Sequence, residues 1–308
     1  MRPLAITLGD PAGIGAEIVF RALAELDLPA VVFGDRNLAA QSATLTPHRF
    51  VDVGLSGGAT LRPGVIDPLY GQVALASIDA AIDAVTRGDC SALVTAPIHK
   101  LAVAAAGSPF PGHTELLAHR AGRTHYGHDY AMYFDSPTLR TVLLSVHVPL
   151  REAIASIDAD DIAALARLTS REYARMHGRA PRIAVAGVNP HAGEGGKFGR
   201  DEETIARGVA TAAAEGLAVS GPHPPDTIFL AASRGQYDVV MAMYHDQGLI
   251  PVKTLAFEQS VNVTIGLPYL RVSVDHGTAF DIAGRGIADA APMRYAIEWA
   301  ARHAEAFR

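Results

Sequence analysis

Cysteine is almost missing from this 308-residue chain: Cys90 stands alone. An internal disulfide is therefore impossible, a thiolate zinc cluster is excluded, and a reducing, cytoplasmic setting is expected. Charge is thin as well, with 19% Asp, Glu, Lys and Arg and a net charge of −6, against the roughly 25% charged residues of an average soluble chain. No run of Lys or Arg offers a nucleic-acid backbone an electrostatic footprint, so no nucleic-acid partner is expected. The N-terminal apolar stretch is too brief for a signal peptide. No apolar run reaches the roughly 18 residues of a membrane span, so neither export nor membrane insertion is expected. No repeat, low-complexity tract or Ser/Pro-rich linker interrupts the chain. At roughly 150 residues per domain the length suits two domains, and without a linker they must share strands or cross over more than once.

What is present is a 49% apolar chain in which short Val-, Ile- and Ala-rich runs alternate with stretches of helical periodicity. That pattern reads as α/β with largely buried strands. Strands are expected at Leu4–Leu8, Ala30–Phe33, Ala92–Ala96, Ala131–Phe134, Thr141–Val146, Ile183–Val188, Val239–Met243, Val261–Ile265 and Val272–Val274. Between them, Ile78, Ile82 and Val85 mark one helix that stops at Gly88, and Ile162, Leu165 and Leu168 mark another that Asp160 is placed to cap. Pro292 suits the first turn of a last helix carrying Met293, Ile297 and Ala300.

Many of the apolar runs end in clusters of Gly, Pro, His, Asp, Asn or Thr. They include Gly9-Asp10-Pro11-Ala12-Gly13-Ile14-Gly15, the Thr95–Lys100 segment, Val146-His147-Val148-Pro149, Asn189-Pro190-His191-Ala192-Gly193-Glu194-Gly195-Gly196 and Tyr244-His245-Asp246-Gln247-Gly248. Each alone is an ordinary turn. Together they suit a site, because ligands of open α/β sheets bind at the carboxyl ends of strands. His147, His191 and His245 fall at such ends, and three imidazoles with an open position make a Lewis-acid metal site; the alternative is three unrelated loop histidines. Asp246 can orient His245 or be a further ligand. Gly112-His113-Thr114-Glu115 precedes a helix, which places Thr114 where backbone N–H groups favour phosphate. Lys253, Asn262 and Arg271 recur at intervals of nine in an apolar stretch. Any one of them reads as a solvated surface residue, but Asn262 and Arg271 are costly to bury without a polar ligand or partner. Gly9 to Gly15 spells Gly-x-x-x-Gly-x-Gly, so a conventional dinucleotide fingerprint is absent. The glycines between Asp275 and Gly286 would let that loop lie close to a nucleotide, although a plain loop explains them equally.

Taken together, these motifs resemble the 4-hydroxythreonine-4-phosphate dehydrogenase family, with its relatives acting on threonate or erythronate 4-phosphates. The resemblance spans nearly the whole chain, and Pro-Gly-His-Thr-Glu, Asn-Pro-His-Ala-Gly-Glu-Gly-Gly and Tyr-His-Asp-Gln-Gly carry it. It implies an isocitrate- or isopropylmalate-dehydrogenase-like fold of two α/β domains flanking a cleft. The expected division is residues 1–128 plus 273–308 on the nucleotide side and 129–272 for metal, substrate and dimerisation. It implies NAD or NADP, one divalent metal per site (Zn, Co, Mg or Ni), and a homodimer whose active site is shared across the interface, with His245 coming from the partner subunit. Residue by residue, it makes His147, His191 and His245 the metal ligands and His113, Thr114, Lys253, Asn262 and Arg271 the substrate-binding set, with Lys253 and Asp246 as catalytic groups. His276, Gly277, Thr278, Ala279 and Asp281 become the cofactor loop. The implied reaction is oxidation, with decarboxylation, of 4-hydroxy-L-threonine 4-phosphate to 3-amino-2-oxopropyl phosphate. The alternatives are D-threonate or D-erythronate 4-phosphate, a terephthalate-type cis-dihydrodiol within the family and, from another class, acyl transfer by a phosphate acyltransferase of related fold. The family pattern departs at Gln41 to Asp67, a short stretch poor in motif.

Overall fold

The computed structural model describes residues 2–307. The chain divides into two compact units, Met1–Ala121 with Pro268–Arg308, and Gly122–Leu267. The chain therefore crosses between them twice, as the absence of a linker requires. The divisions fall before residues 122 and 268, whereas the sequence pattern puts them before 129 and 273. Arg271 consequently belongs to the first unit, because its segment pairs there with the strand at Leu93.

In chain order the first unit begins with β1 (Leu4–Thr7), α1 (Gly15–Glu25), β2 (Ala30–Gly34), α2 (Arg36–Ser42), β3 (Arg49–Asp52), α3 (Pro68–Thr86), β4 (Leu93–Thr95), α4 (Lys100–Ala105) and α5 (His113–Arg120). The second unit holds β5 (Ala131–Asp135), β6 (Arg140–Leu143), α6 (Leu150–Ala155), α7 (Ala159–His177), β7 (Ile183–Ala186), α8 (Asp201–Ala214), β8 (Val219–His223), α9 (Ile228–Ser233), β9 (Val239–Ala242), α10 (His245–Ala256) and β10 (Val261–Ile265). β11 (Arg271–Ser273) and α11 (Ala291–His303) return to the first unit.

All strand pairs of the first unit are parallel, in the order β3-β2-β1-β4-β11. β1, β2, β4 and β11 are buried along their length, which is why the first three read as largely apolar runs without alternation. α3 lies close against α4: a Cβ on Gly71 would stand 2.1 Å from the Ala102 carbonyl oxygen. In the second unit the order is β10-β5-β6-β9-β7-β8, antiparallel through β10, β5 and β6 and parallel from β6 onward. Its core collects Phe134, Leu143, Val240, Leu249 and Val252, none more than 5% exposed.

Several local expectations shift. The expected strand Thr141–Val146 ends at Leu143: the last ladder bond runs from Leu144 N–H to the Ala242 carbonyl, and beyond it the Ser145 side chain, through Oγ, donates to the Met243 carbonyl. Asp158, not Asp160, caps α7, its carboxylate accepting from the N–H groups of Asp160 and Asp161. β3 and β8, each an outer strand within its own unit, escape the pattern. β3 is four residues long with a charge at each end, and β8 carries Gly221-Pro222, which suits only an edge. Pro292 lies in the first turn of α11 as expected.

Candidate functional site

The second unit gathers the histidines by topology. β6, β9 and β7 are neighbours and run parallel, so their C-terminal ends share one edge, and each end releases a loop bearing one histidine. His147 and His245 approach to 5.8 Å between ring centroids, tilted by 42°. His191 packs on Phe198 with centroids 6.1 Å apart. Among the described residues no group of three or more His, Cys, Asp or Glu is arranged to hold a metal ion; one chain brings two of the three histidines together. In kind the pair fits a divalent ion, since neutral imidazole suits Zn, Co or Ni. Asp246 Oδ1 lies 2.7 Å from His245 Nδ1, which holds the proton on that nitrogen and leaves Nε2 as the donor lone pair.

Two buried side chains that the sequence pattern does not single out secure these loops. Gln247, 8% exposed, accepts from Met243 N–H and donates to the Gly187 carbonyl, both at 2.7 Å; it ties the turn of His245 to the strand that leads to His191. Its only signal is its place in Tyr-His-Asp-Gln-Gly. Glu202, 7% exposed, accepts from Val188 N–H, Asn189 N–H and Asn189 Nδ2 at 3.0, 2.7 and 2.9 Å. In the sequence it is one of three acids opening α8 and looks like an ordinary helix-start residue. Lys253, on α10, and Asn262, on β10, are partly buried, and the Asn262 side-chain oxygen is enclosed without a hydrogen-bond partner.

In the first unit, His113 and Thr114 open α5, and Thr114 is buried. Arg271 begins β11 at 2% exposure and donates from Nη2 to Thr95 Oγ1 at 2.8 Å. Burial pulls its pKa down to about 10. Burial, and then the charge of Arg271, push His113 well below the usual histidine range, so its ring is neutral. His113 Nε2 is enclosed with no hydrogen-bond partner. A buried guanidinium beside a neutral imidazole with an unsatisfied nitrogen is the arrangement an anionic oxygen would complete.

The same unit seats the His276–Asp281 loop on the Gly9–Gly15 loop. Ile14 N–H donates to the Thr278 carbonyl at 3.1 Å, and a Cβ on Gly13 would meet Thr278 at 3.0 Å. Phe280 stacks on His99 at 4.5 Å, and Ala279 sits at φ 46°, a left-handed conformation for a residue with a Cβ. His276, through Nδ1, lies 3.0 Å from the Gly277 carbonyl, and Gly277 and Asp281 face solvent. Beneath lies Asp10, 1% exposed. Its Oδ1 accepts from Ala12 N–H at 2.8 Å while Oδ2 has no partner. Burial, opposed by N–H donors of Ala12 and His99, raises its pKa to about 6. Asp10 and His99 stand inside the expected motifs but had no role there. An exposed backbone at Gly277 on a loop docked through its own carbonyl is compatible with a nucleotide lying along it.

Comparison with known proteins decides the kinship of these parts. The family model for pyridoxal phosphate biosynthetic protein PdxA matches residues 10–300. The chain belongs to this family. A 4-hydroxythreonine-4-phosphate dehydrogenase of Beijerinckia indica is 43% identical, over 97% of this chain and 94% of that protein. A D-threonate 4-phosphate dehydrogenase of Salmonella typhimurium is 42% identical, over 97% and 98%. The crystal structure of 4-hydroxythreonine-4-phosphate dehydrogenase from Klebsiella pneumoniae superposes with a TM-score of 0.88 at 40% identity, covering 99% of this chain and 100% of that one. This PdxA-family member is thus a dehydrogenase, an oxidoreductase acting on a hydroxyl group. No helix among its described residues is long and apolar enough to cross a membrane.

Proposed function

We propose that the chain catalyses NAD(P)-dependent, divalent-metal-dependent oxidation of a phosphorylated hydroxy acid with loss of its carboxylate, and that 4-hydroxy-L-threonine 4-phosphate, yielding 3-amino-2-oxopropyl phosphate, is the substrate. The observation that carries the phosphate is the buried Arg271 beside His113, whose unsatisfied Nε2 and charged neighbour await an anion. Bound, the dinucleotide would accept the hydride of the secondary alcohol, and the divalent ion would polarise that hydroxyl and then the ketone oxygen. His147, His191 and His245 hold the ion, and Asp246 keeps His245 in the tautomer that can bind it. Thr114, His113 and Arg271 hold the phosphate, and Lys253 and Asn262 complete the substrate set. Lys253 and Asp246 are the ionisable groups assigned to the hydroxyl proton. His276, Gly277, Thr278, Ala279 and Asp281 hold the dinucleotide.

A homodimer with a shared site, His245 coming from the partner subunit, completes the set of metal donors. Its support is the exposed apolar side chains near the paired histidines and on α10: Val148 at 48%, Leu150 at 57% and Ile250 at 64%. D-Threonate 4-phosphate is a second candidate substrate, because the relative acting on it is nearly as similar as the first. The test is nicotinamide absorbance with a divalent ion and, in turn, 4-hydroxythreonine 4-phosphate, D-threonate 4-phosphate and a cis-dihydrodiol. Turnover of the first supports the full assignment, and preference for the second moves it within the phosphorylated acids. Brisk turnover of the diol alone overturns it.

A further inference from the structure

The turn carrying His191 is the most strained stretch of backbone in the second unit. Five consecutive residues, His191 to Gly195, have φ of 53°, 51°, 77°, 42° and 69°, and three of them, His191, Ala192 and Glu194, carry a Cβ that this region disfavours. Such a run persists only where its surroundings over-determine it. Backbone bonds hold part of it: Ala192 N–H to the Asn189 carbonyl and Phe198 N–H to that of Gly193, both at 3.1 Å, and Lys197 N–H to that of Glu194 at 3.4 Å. The buried side chain that adds to them is Glu202. Its carboxylate grips both N–H groups at the entrance of the turn, Val188 and Asn189, and the Asn189 side chain. The turn leaves room for it: a Cβ at Gly193 would lie 2.8 Å from Glu202 Oε2, and one at Gly187 would lie 3.2 Å from Oε1. The anchor is rigid, since Glu202 lies in the first turn of α8, whose Gly208 sits directly on Ile162 of α7. Although burial opposes ionisation, hydrogen bonds from Asn189 and Val188 outweigh it and hold the carboxyl below the usual glutamate range. It is the charged form that can accept all three donors.

We infer that Glu202 is a positioning residue for His191: by clamping residues 188 and 189 it holds the left-handed turn in the one shape that aims the imidazole, and so sets the metal affinity of the site. This rests on the reading of His191 as a metal ligand. Glu202 touches neither ion nor substrate. It acts through the backbone, and its loss leaves the turn free to relax toward conformations that point the ring elsewhere.

The test is titration of the full chain with Co²⁺, read by the visible absorption of the bound ion, for wild type, Glu202→Gln, His191→Ala and the double variant, with thermal melting to verify folding. Glu202→Gln keeps one carbonyl oxygen for the two backbone N–H groups, removes the charge they share and turns an N–H against Asn189 Nδ2. The expected result is roughly tenfold or more weaker Co²⁺ binding with an altered absorption band, and no further loss when the change is added to His191→Ala. A folded Glu202→Gln chain that binds Co²⁺ with wild-type affinity and spectrum, while His191→Ala loses the ion, overturns the inference alone. His191→Ala with undiminished binding overturns the ligand reading and the inference with it. If Glu202→Gln does not fold, Asn189→Ala decides, with Asp201→Ala as its control, because Asn189 Nδ2 donates both to Glu202 Oε2 and to Asp201 Oδ2: Asn189→Ala is expected to weaken Co²⁺ binding severalfold and Asp201→Ala not to, and unchanged binding in Asn189→Ala counts against the clamp.

Discussion

Two buried ionisable residues of the first unit behave in opposite ways. Arg271 keeps its charge at 2% exposure, with Thr95 as one partner and the fields of Tyr269 and Glu115 offsetting part of the cost of burial. A charged hydrogen bond left without its partner costs about 1.5 to 3 kcal/mol, so Arg271→Ala should lower kcat/KM for a phosphorylated substrate by roughly 10- to 100-fold. Steady-state kinetics would check it, and an unchanged constant would remove Arg271 from the phosphate set. Asp10 is held toward neutrality. Its pKa lies near 6, against 3.8 for the ordinary group, through burial first and, more weakly, the Asp67 carboxylate nearby. The folded chain therefore binds this proton more tightly than the unfolded chain. The stability so gained is full below about pH 4 and is lost as pH rises through about 6. At about 1.36 kcal/mol per pKa unit the loss amounts to about 3 kcal/mol. Asp10→Asn carries no such proton, so its urea unfolding free energy should gain on the wild type by up to about 3 kcal/mol between pH 4 and pH 7.5. A pH-independent difference would show that Asp10 is solvated.

Among the elements, close approach of helices leaves the clearest mark. α3 and α4 meet where Gly71 faces the Ala102 carbonyl, with the Ala106 Cβ 2.9 Å from an added Cβ. Backbone cannot rotate aside as a side chain can, so Gly71→Ala must push the helices apart. A loss of about 1 to 3 kcal/mol is expected from overpacking, despite the better helix propensity of alanine. Chemical denaturation measures it; a stabilised variant would mean that α4 is free to shift. The elements themselves were legible where burial is uniform. The runs at Leu4, Ala30 and Ala131 stand as strands because they are buried along their length. β3 and β8 were not legible, because an edge strand is exposed on one flank and its pattern is set by neighbours distant in sequence.

For the whole molecule, the question is how many chains make one site. A single chain pairs His147 with His245 and leaves His191 against Phe198. If each site instead joins His147 and His191 of one subunit with His245 of the partner subunit, as the family resemblance implies, a His147→Ala chain mixed with a His245→Ala chain should recover part of the wild-type activity, because one site of each mixed dimer is intact. Each variant alone should be inactive, and dilution to monomers should abolish activity in the wild type. Mixtures that stay inactive would place His147 and His245 of one site in the same subunit.

The residue order alone determined the α/β class, most strand positions, the glycine- and histidine-rich strand ends and the family, since all are written in local pattern and motif spelling. Tertiary structure decided which of those ends are neighbours. β6, β9 and β7 lie side by side although nearly a hundred residues separate the first from its neighbour β9, and nothing local encodes that order. It also decided that Asp10 is buried with one oxygen unsatisfied, and that Gln247 and Glu202 reach across to other segments. Burial and hydrogen-bond partnership are properties of surroundings assembled from distant parts of the chain, and a side chain does not carry them in its own neighbourhood of sequence.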